Sequence, residues 1–177
     1  MGRTLWHCHI AVSLDGRIAR PDGGVEDWLA ADYPAEDFGF GAFLAGVDAI
    51  LMGRGSYDAV RRMGDWPYAG KPTVILTSRA LPDAPPGVMA RAGDIAAIAA
   101  EMEACGHGRV WLFGGGQVIR SMLAIGRLDL LEMALIPVVL GEGIPLFPAG
   151  TPEVALRLLQ CEAKPRGALH LVYERVA

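Results

Sequence analysis

Phe113-Gly114-Gly115-Gly116-Gln117 closes a short apolar run, Val110 to Phe113, and opens a segment of helical spacing that reaches about Ile125. Met52-Gly53-Arg54-Gly55-Ser56-Tyr57 repeats that construction behind Asp48-Ala49-Ile50-Leu51-Met52. A strand that ends in glycine and starts a helix gathers bare backbone N–H groups at the positive end of the helix, where a phosphate is favoured. Glycine also lets a pyrophosphate approach the backbone with no Cβ in the way. Two such turns point to a ligand with more than one phosphate, such as a dinucleotide. The candidate cradle is Gly53, Arg54 and Ser56 from one turn and Gly114, Gly115, Gly116, Gln117 and Val118 from the other. Gln117 and Val118 would contribute helix-start N–H groups, and Ser56 reads equally as the N-cap of a short helix through Met63.

Working outward, Leu5 to Ser13 reads as a strand followed by the turn residues Asp15-Gly16. Phe40, Phe43, Leu44 and Val47 recur at helical spacing, which predicts a helix near Ala35 to Gly46. Thr73 to Thr77 and Val88 to Ala90 are strand candidates. Asp94 caps a helix carrying Ile95, Ile98, Ala99 and Met102, ended by Gly106 and Gly108. Leu131 to Ile136 reads as a strand, and Ala155 to Cys161 with Leu169 to Arg175 as a closing antiparallel pair. Alternating strands and helices through the first 125 residues predict an α/β fold. Its sheet is mostly parallel but mixed, with helices on both faces and a C-terminal antiparallel hairpin.

The chain has 177 residues, 52% of them hydrophobic and 20% charged, which fits one domain spanning 1–177 with a large core. The net charge of −4 and the lack of any Lys/Arg block argue against a nucleic-acid partner. Cys8, Cys105 and Cys161 form no C-x-x-C pair, so neither a disulfide framework nor a zinc knuckle is expected, and a cytoplasmic location fits. No secretory segment and no membrane-spanning run is expected, the apolar stretch Met133 to Leu140 being interrupted by Pro137. His7 and His9 share one face of the first strand. With no further ligand visible in the sequence, they point to a structural role and no metal site is expected.

Four motifs in order carry a family resemblance: Ser13-Leu14-Asp15-Gly16-Arg17-Ile18-Ala19, the segment Asp48 to Tyr57, Phe113-Gly114-Gly115-Gly116, and Ile136 to Phe147. Together they resemble the dihydrofolate-reductase-like fold, and more narrowly the reductase domain of the bifunctional riboflavin-biosynthesis deaminase-reductase in a freestanding form. No H-x-E followed by P-C-x-x-C occurs, so zinc deamination is not expected. Members often carry an Asp-Glu pair before the late strand; here Asp129 is followed by Leu130.

The resemblance implies an NADPH-dependent reductase that passes hydride to a small heterocycle or ribosylaminopyrimidine-type substrate, in a homodimer. Thr77-Ser78-Arg79, two hydroxyls beside a guanidinium at a strand end, suits the ribose 2′-phosphate of NADPH. Asp15 lies in the loop that the resemblance puts near nicotinamide and substrate, which makes it a candidate catalytic residue and proton donor beside Asp37. Asp37 is nearest by spacing to the ring-orienting carboxylate of folate-type reductases, with Glu36 and Asp27 as rivals and water as another proton source. Gly141-Glu142-Gly143 with Pro145 forms a compact turn that borders either the substrate side or a dimer contact. Two other readings stay open: a non-catalytic nucleotide- or pterin-binding protein on this scaffold, and a true dihydrofolate reductase.

Overall fold

A computed structural model describes residues 2–29 and 32–176. Side-chain alternation along the first strand, β1 (Leu5–Ser13), sets the two faces of the main sheet. Trp6, Cys8 and Val12 enter one apolar cluster, while His7 and His9 meet Phe43 on the other face. After β1 come β2 (Arg17–Ala19), α1 (Phe40–Ala45), β3 (Ala49–Gly53), α2 (Arg54–Arg62), β4 (Thr73–Leu76) and β5 (Val88–Arg91). The chain continues through α3 (Ile95–Ala104), β6 (Arg109–Gly114), α4 (Gly116–Ala124), β7 (Leu130–Ile136), β8 (Ile144–Pro145), β9 (Leu156–Ala163) and β10 (Leu169–Arg175).

The main sheet has eight strands in the order β5-β4-β3-β6-β1-β7-β10-β9. Its first six strands pair in parallel, and β10 and β9 are added antiparallel. It is the mixed, mostly parallel sheet of the dihydrofolate-reductase-like fold, closed by a C-terminal hairpin. On one face α3 and α4 bury Ile98, Met102, Ile119 and Met122 against Trp6, Leu51 and Leu112. On the other, α1 and α2 bury Phe43 and Tyr57 against Ile50, Met52, Ile75 and Trp111. Asp94 caps α3, its carboxylate accepting from the Ala97 N–H.

Two local expectations are corrected. The segment expected as one helix from Ala35 to Gly46 is broken. Residues Ala35–Phe38 form a 3-10 turn, Gly39 takes a left-handed conformation (φ 71°) that ends it, and only Phe40–Ala45 is α-helical. Ser56 is not an N-cap: α2 begins directly at Arg54 with Gly53 in the cap position, which puts Ser56 inside the first turn. The late Ile136 to Phe147 motif contributes β8 to a second, two-stranded sheet with β2, which pairs Arg17 with Pro145 and Ala19 with Ile144.

Candidate functional site

β3 and β6 are neighbours, but the chain leaves their carboxyl ends in opposite directions, β3 through α2 toward β4 and β6 through α4 toward β7. That reversal creates a crevice at the carboxyl edge of the sheet, the place where open α/β sheets bind ligands. The two glycine turns meet there. A cleft of about 450 Å³ is lined by Gly53, Arg54, Ser56, Gly115, Gly116, Gln117 and Val118, with Leu76, Ser121, Ile144, Pro145 and Pro148 completing its walls.

Local chemistry fits an anion. Neither α2 nor α4 has a side-chain cap at its start. The first N–H groups of each helix lack intrahelical acceptors by construction. Val118 departs from its expected role, because its N–H is already bonded to Gly115 O at 2.9 Å. Gly116 and Gln117 therefore head the α4 turn as donors, and Val118 serves through its side chain, which packs against Gly53.

The three glycines of the second turn have different reasons to be glycine. Gly114 has φ 110°, a left-handed conformation that disfavours a side chain. A Cβ on Gly116 would meet the Pro145 carbonyl oxygen at 2.2 Å. A Cβ on Gly115 would meet nothing closer than Ser56 Oγ at 3.7 Å and Ile18 Cδ1 at 3.8 Å, and the φ there is an ordinary −70°. Of the three, Gly115 alone combines a place in the cleft lining with neither a backbone clash nor a left-handed φ.

The cations differ in the same way. Arg54 Nε donates to Asp58 at 2.7 Å, and its Nη1 to the Ala80 carbonyl at 3.2 Å. This arginine ties α2 to the loop after β4. Thr77, Ser78 and Arg79 form that loop, just past the cleft wall residue Leu76, and the Arg79 N–H folds back to Thr77 Oγ1 at 3.1 Å. Arg79 is exposed, and its guanidinium has no ion pair among the described residues.

Of the carboxylates, Asp15 is engaged as a clasp. Ser13 Oγ donates to it at 2.6 Å, the Leu140 N–H at 3.0 Å and the Gly141 N–H at 2.8 Å. The Ser13 hydroxyl foremost, with these amides, lowers its carboxyl from the ordinary 3.8 to about 2. Asp15 thus stays ionised and joins the β1 turn to the segment leading into β8. Asp27 pairs with Arg20 at 2.7 Å. Glu36 is exposed and Asp37 half-buried in the 3-10 turn, so burial favours Asp37 of the two neighbours. Neither lines the cleft. The cleft walls that sequence reasoning did not single out, Leu76, Ser121 and Pro148, are ordinary residue types that only the packing brings there. No helix among the described residues is long and apolar enough to cross a membrane.

Comparison with known proteins agrees with this architecture. The chain is 33% identical over 151 residues to the uncharacterized protein YwjB of Bacillus subtilis, covering 85% of this chain and 86% of that protein. A crystal structure from Shewanella sp. PV-4, named for riboflavin biosynthesis, superposes with a TM-score of 0.84 at 29% identity, covering 99% of this chain and all of that one (100%). The Thermotoga maritima diaminohydroxyphosphoribosylaminopyrimidine deaminase/5-amino-6-(5-phosphoribosylamino)uracil reductase shares the fold, with a TM-score of 0.70 at 15% identity. There the match covers 98% of this chain and 57% of that longer one. Residues 7–170 match the RibD C-terminal domain, and the chain belongs to that family.

Proposed function

We propose that this protein is an NADPH-dependent reductase acting on a small heterocyclic or ribosylaminopyrimidine-type substrate. One observation carries the reading: the two uncapped, glycine-led helix starts adjoin at the β3/β6 reversal around a single cleft. The N–H groups of Gly116 and Gln117 and those at the start of α2 would hold the pyrophosphate, with Ser56 beside them. Arg79, with Thr77 and Ser78, would receive the 2′-phosphate, since its guanidinium is uncommitted while that of Arg54 is not. When bound, NADPH supplies the hydride. The protein positions the acceptor and excludes water. Asp37 is the carboxylate assigned to orient or protonate the substrate; Asp15 instead fixes the loop wall.

A homodimer in the cytoplasm completes the proposal. The cysteines among the described residues are unpaired thiols, as a reducing compartment keeps them. β9 is an edge strand with Leu158 and Leu159 about half exposed (50% and 51%), an apolar surface that a second copy would cover. Light scattering at micromolar concentration is expected to give a dimer mass.

Optical monitoring of NADPH oxidation tests the activity, with a ribosylaminopyrimidine phosphate, dihydrofolate and no acceptor in parallel. Oxidation with the first alone is expected. Asp37→Asn should lower turnover and leave NADPH affinity intact. Preserved turnover in Asp37→Asn with loss in Glu36→Gln would transfer the role to Glu36, and binding without oxidation across a broad panel would leave a nucleotide-binding protein.

A further inference from the structure

A second cluster lies away from the cleft lining, beneath α1. The parallel register of β1 and β7 sets His9 opposite Glu132. Strand alternation keeps His7 on the His9 side, and β10 brings in His170. His170 Nε2 lies 2.7 Å from Glu132 Oε1, His9 Nε2 3.7 Å from the same oxygen, and His7 Nε2 2.8 Å from Oε2. One ligand atom each from His9, Glu132 and His170 falls within 4.8 Å of the others. All three histidines are buried, and Phe43 stacks on His9 with ring centroids 4.6 Å apart.

A buried carboxylate needs compensation, and one imidazolium provides it. Three convergent imidazoles exceed that need. Their hydrogen bonding is uneven: His170 Nε2 reaches Glu132 at 2.7 Å and His9 Nε2 the Phe38 carbonyl at 3.1 Å, whereas neither buried ring nitrogen of His7 has an aligned partner, although Nε2 is close to Glu132. Buried polar groups rarely stay in that condition without a reason. A cation held by His9, His170 and Glu132 accounts for the excess of imidazole, with His7 left to the second carboxylate oxygen. Tetrahedral zinc holds N and O ligands at about 2.0–2.2 Å, which spaces the ligand atoms about 3.3 Å apart. The observed His170–Glu132 and His9–Glu132 separations, 2.7 and 3.7 Å, bracket that value.

We propose that His9, His170 and Glu132 bind a divalent first-row transition ion, zinc foremost, with His7 bracing the second carboxylate oxygen. Two imidazoles are borderline nitrogen ligands that suit such ions rather than calcium or magnesium, and a carboxylate completes zinc sets of this kind. A hydrogen-bonded partner on a ligating carboxylate is the usual outer shell of such a site. The ion would join β1, β7 and β10. It would also displace the contact between His9 Nε2 and the Phe38 carbonyl, now 3.1 Å, at the 3-10 turn next to Asp37.

Zinc binding to the chelator-stripped full chain decides this, measured by competition with a chromophoric chelator in a Cys105→Ser/Cys161→Ser background that removes the exposed thiols. One equivalent per chain is expected. Glu132→Gln and His170→Gln should each weaken binding by at least about 100-fold, beyond what outer-shell changes cost. Cobalt substitution should give ligand-field bands without thiolate charge transfer, a readout that holds even if a variant fails to fold. No saturable zinc uptake, or unchanged uptake in a folded Glu132→Gln variant, would overturn the site.

Discussion

At Gly116 a Cβ would run into the Pro145 carbonyl oxygen at 2.2 Å; at Gly53, in the other turn, its one tight contact would be the Val118 methyl Cγ2 at 3.2 Å. The β6–α4 turn is locked by backbone from the small β2–β8 sheet, and the β3–α2 turn by a side-chain tip. Within the first, Gly115 has neither constraint. A glycine-rich motif therefore mixes residues kept for packing with residues kept for access, and the two kinds respond to different measurements.

The largest expected effect is on Gly116→Ala. A carbonyl oxygen held in a paired strand has little room to retreat, so overpacking should cost about 3 kcal/mol in urea unfolding, the upper part of the usual range. Stability within error of the parent would mean that the β8 segment moves freely, and the contrast between the two turns would disappear.

Arg79→Ala comes next. Loss of a charge-assisted contact should cost roughly 1.5–3 kcal/mol, or about one to two powers of ten in NADPH affinity, with NADH nearly unchanged. Equal loss for both cofactors would remove Arg79 from the 2′-phosphate and make Arg54, the cation of the β3–α2 turn, the next residue to test.

A smaller effect probes the wall that pins Gly116. Asp15 holds Leu140 and Gly141, a few residues before Pro145. Its folded pKa is depressed, from 3.8 to about 2, so its stabilising contribution is complete above the higher value and lost as pH falls through the lower one. Unfolding midpoints of the parent should drop over that acid window more than those of Asp15→Asn. Parallel curves would show that the clasp does not secure the wall.

Much of this architecture is legible in the residues themselves. The span of β1 from Leu5 to Ser13, the hairpin strand Leu169–Arg175 and the Asp94 cap follow from local chemistry, and the structure has them. The helix expected from Ala35 misleads because Phe40, Phe43, Leu44 and Val47 keep helical spacing while Gly39 breaks the backbone ahead of them. β2 and β8, three and two residues long, are too short to show any period. Both glycine turns are visible locally, but their adjacency depends on β6 inserting between β3 and β1, a property of topology. His7 and His9 were visible as a pair on one face, whereas Glu132 and His170 reach them only through strand order and register.

Calorimetric titration of NADPH into the parent protein and into Gly115→Val tests the central claim most directly, with circular dichroism on the same samples. A Cβ there makes only ordinary contacts, and Gly115 lines the cleft, so a branched side chain would compete with a ligand for that space. The parent should bind one NADPH per chain, and the variant should keep its fold and lose measurable binding. A folded Gly115→Val variant that binds NADPH as tightly as the parent would contradict the cradle.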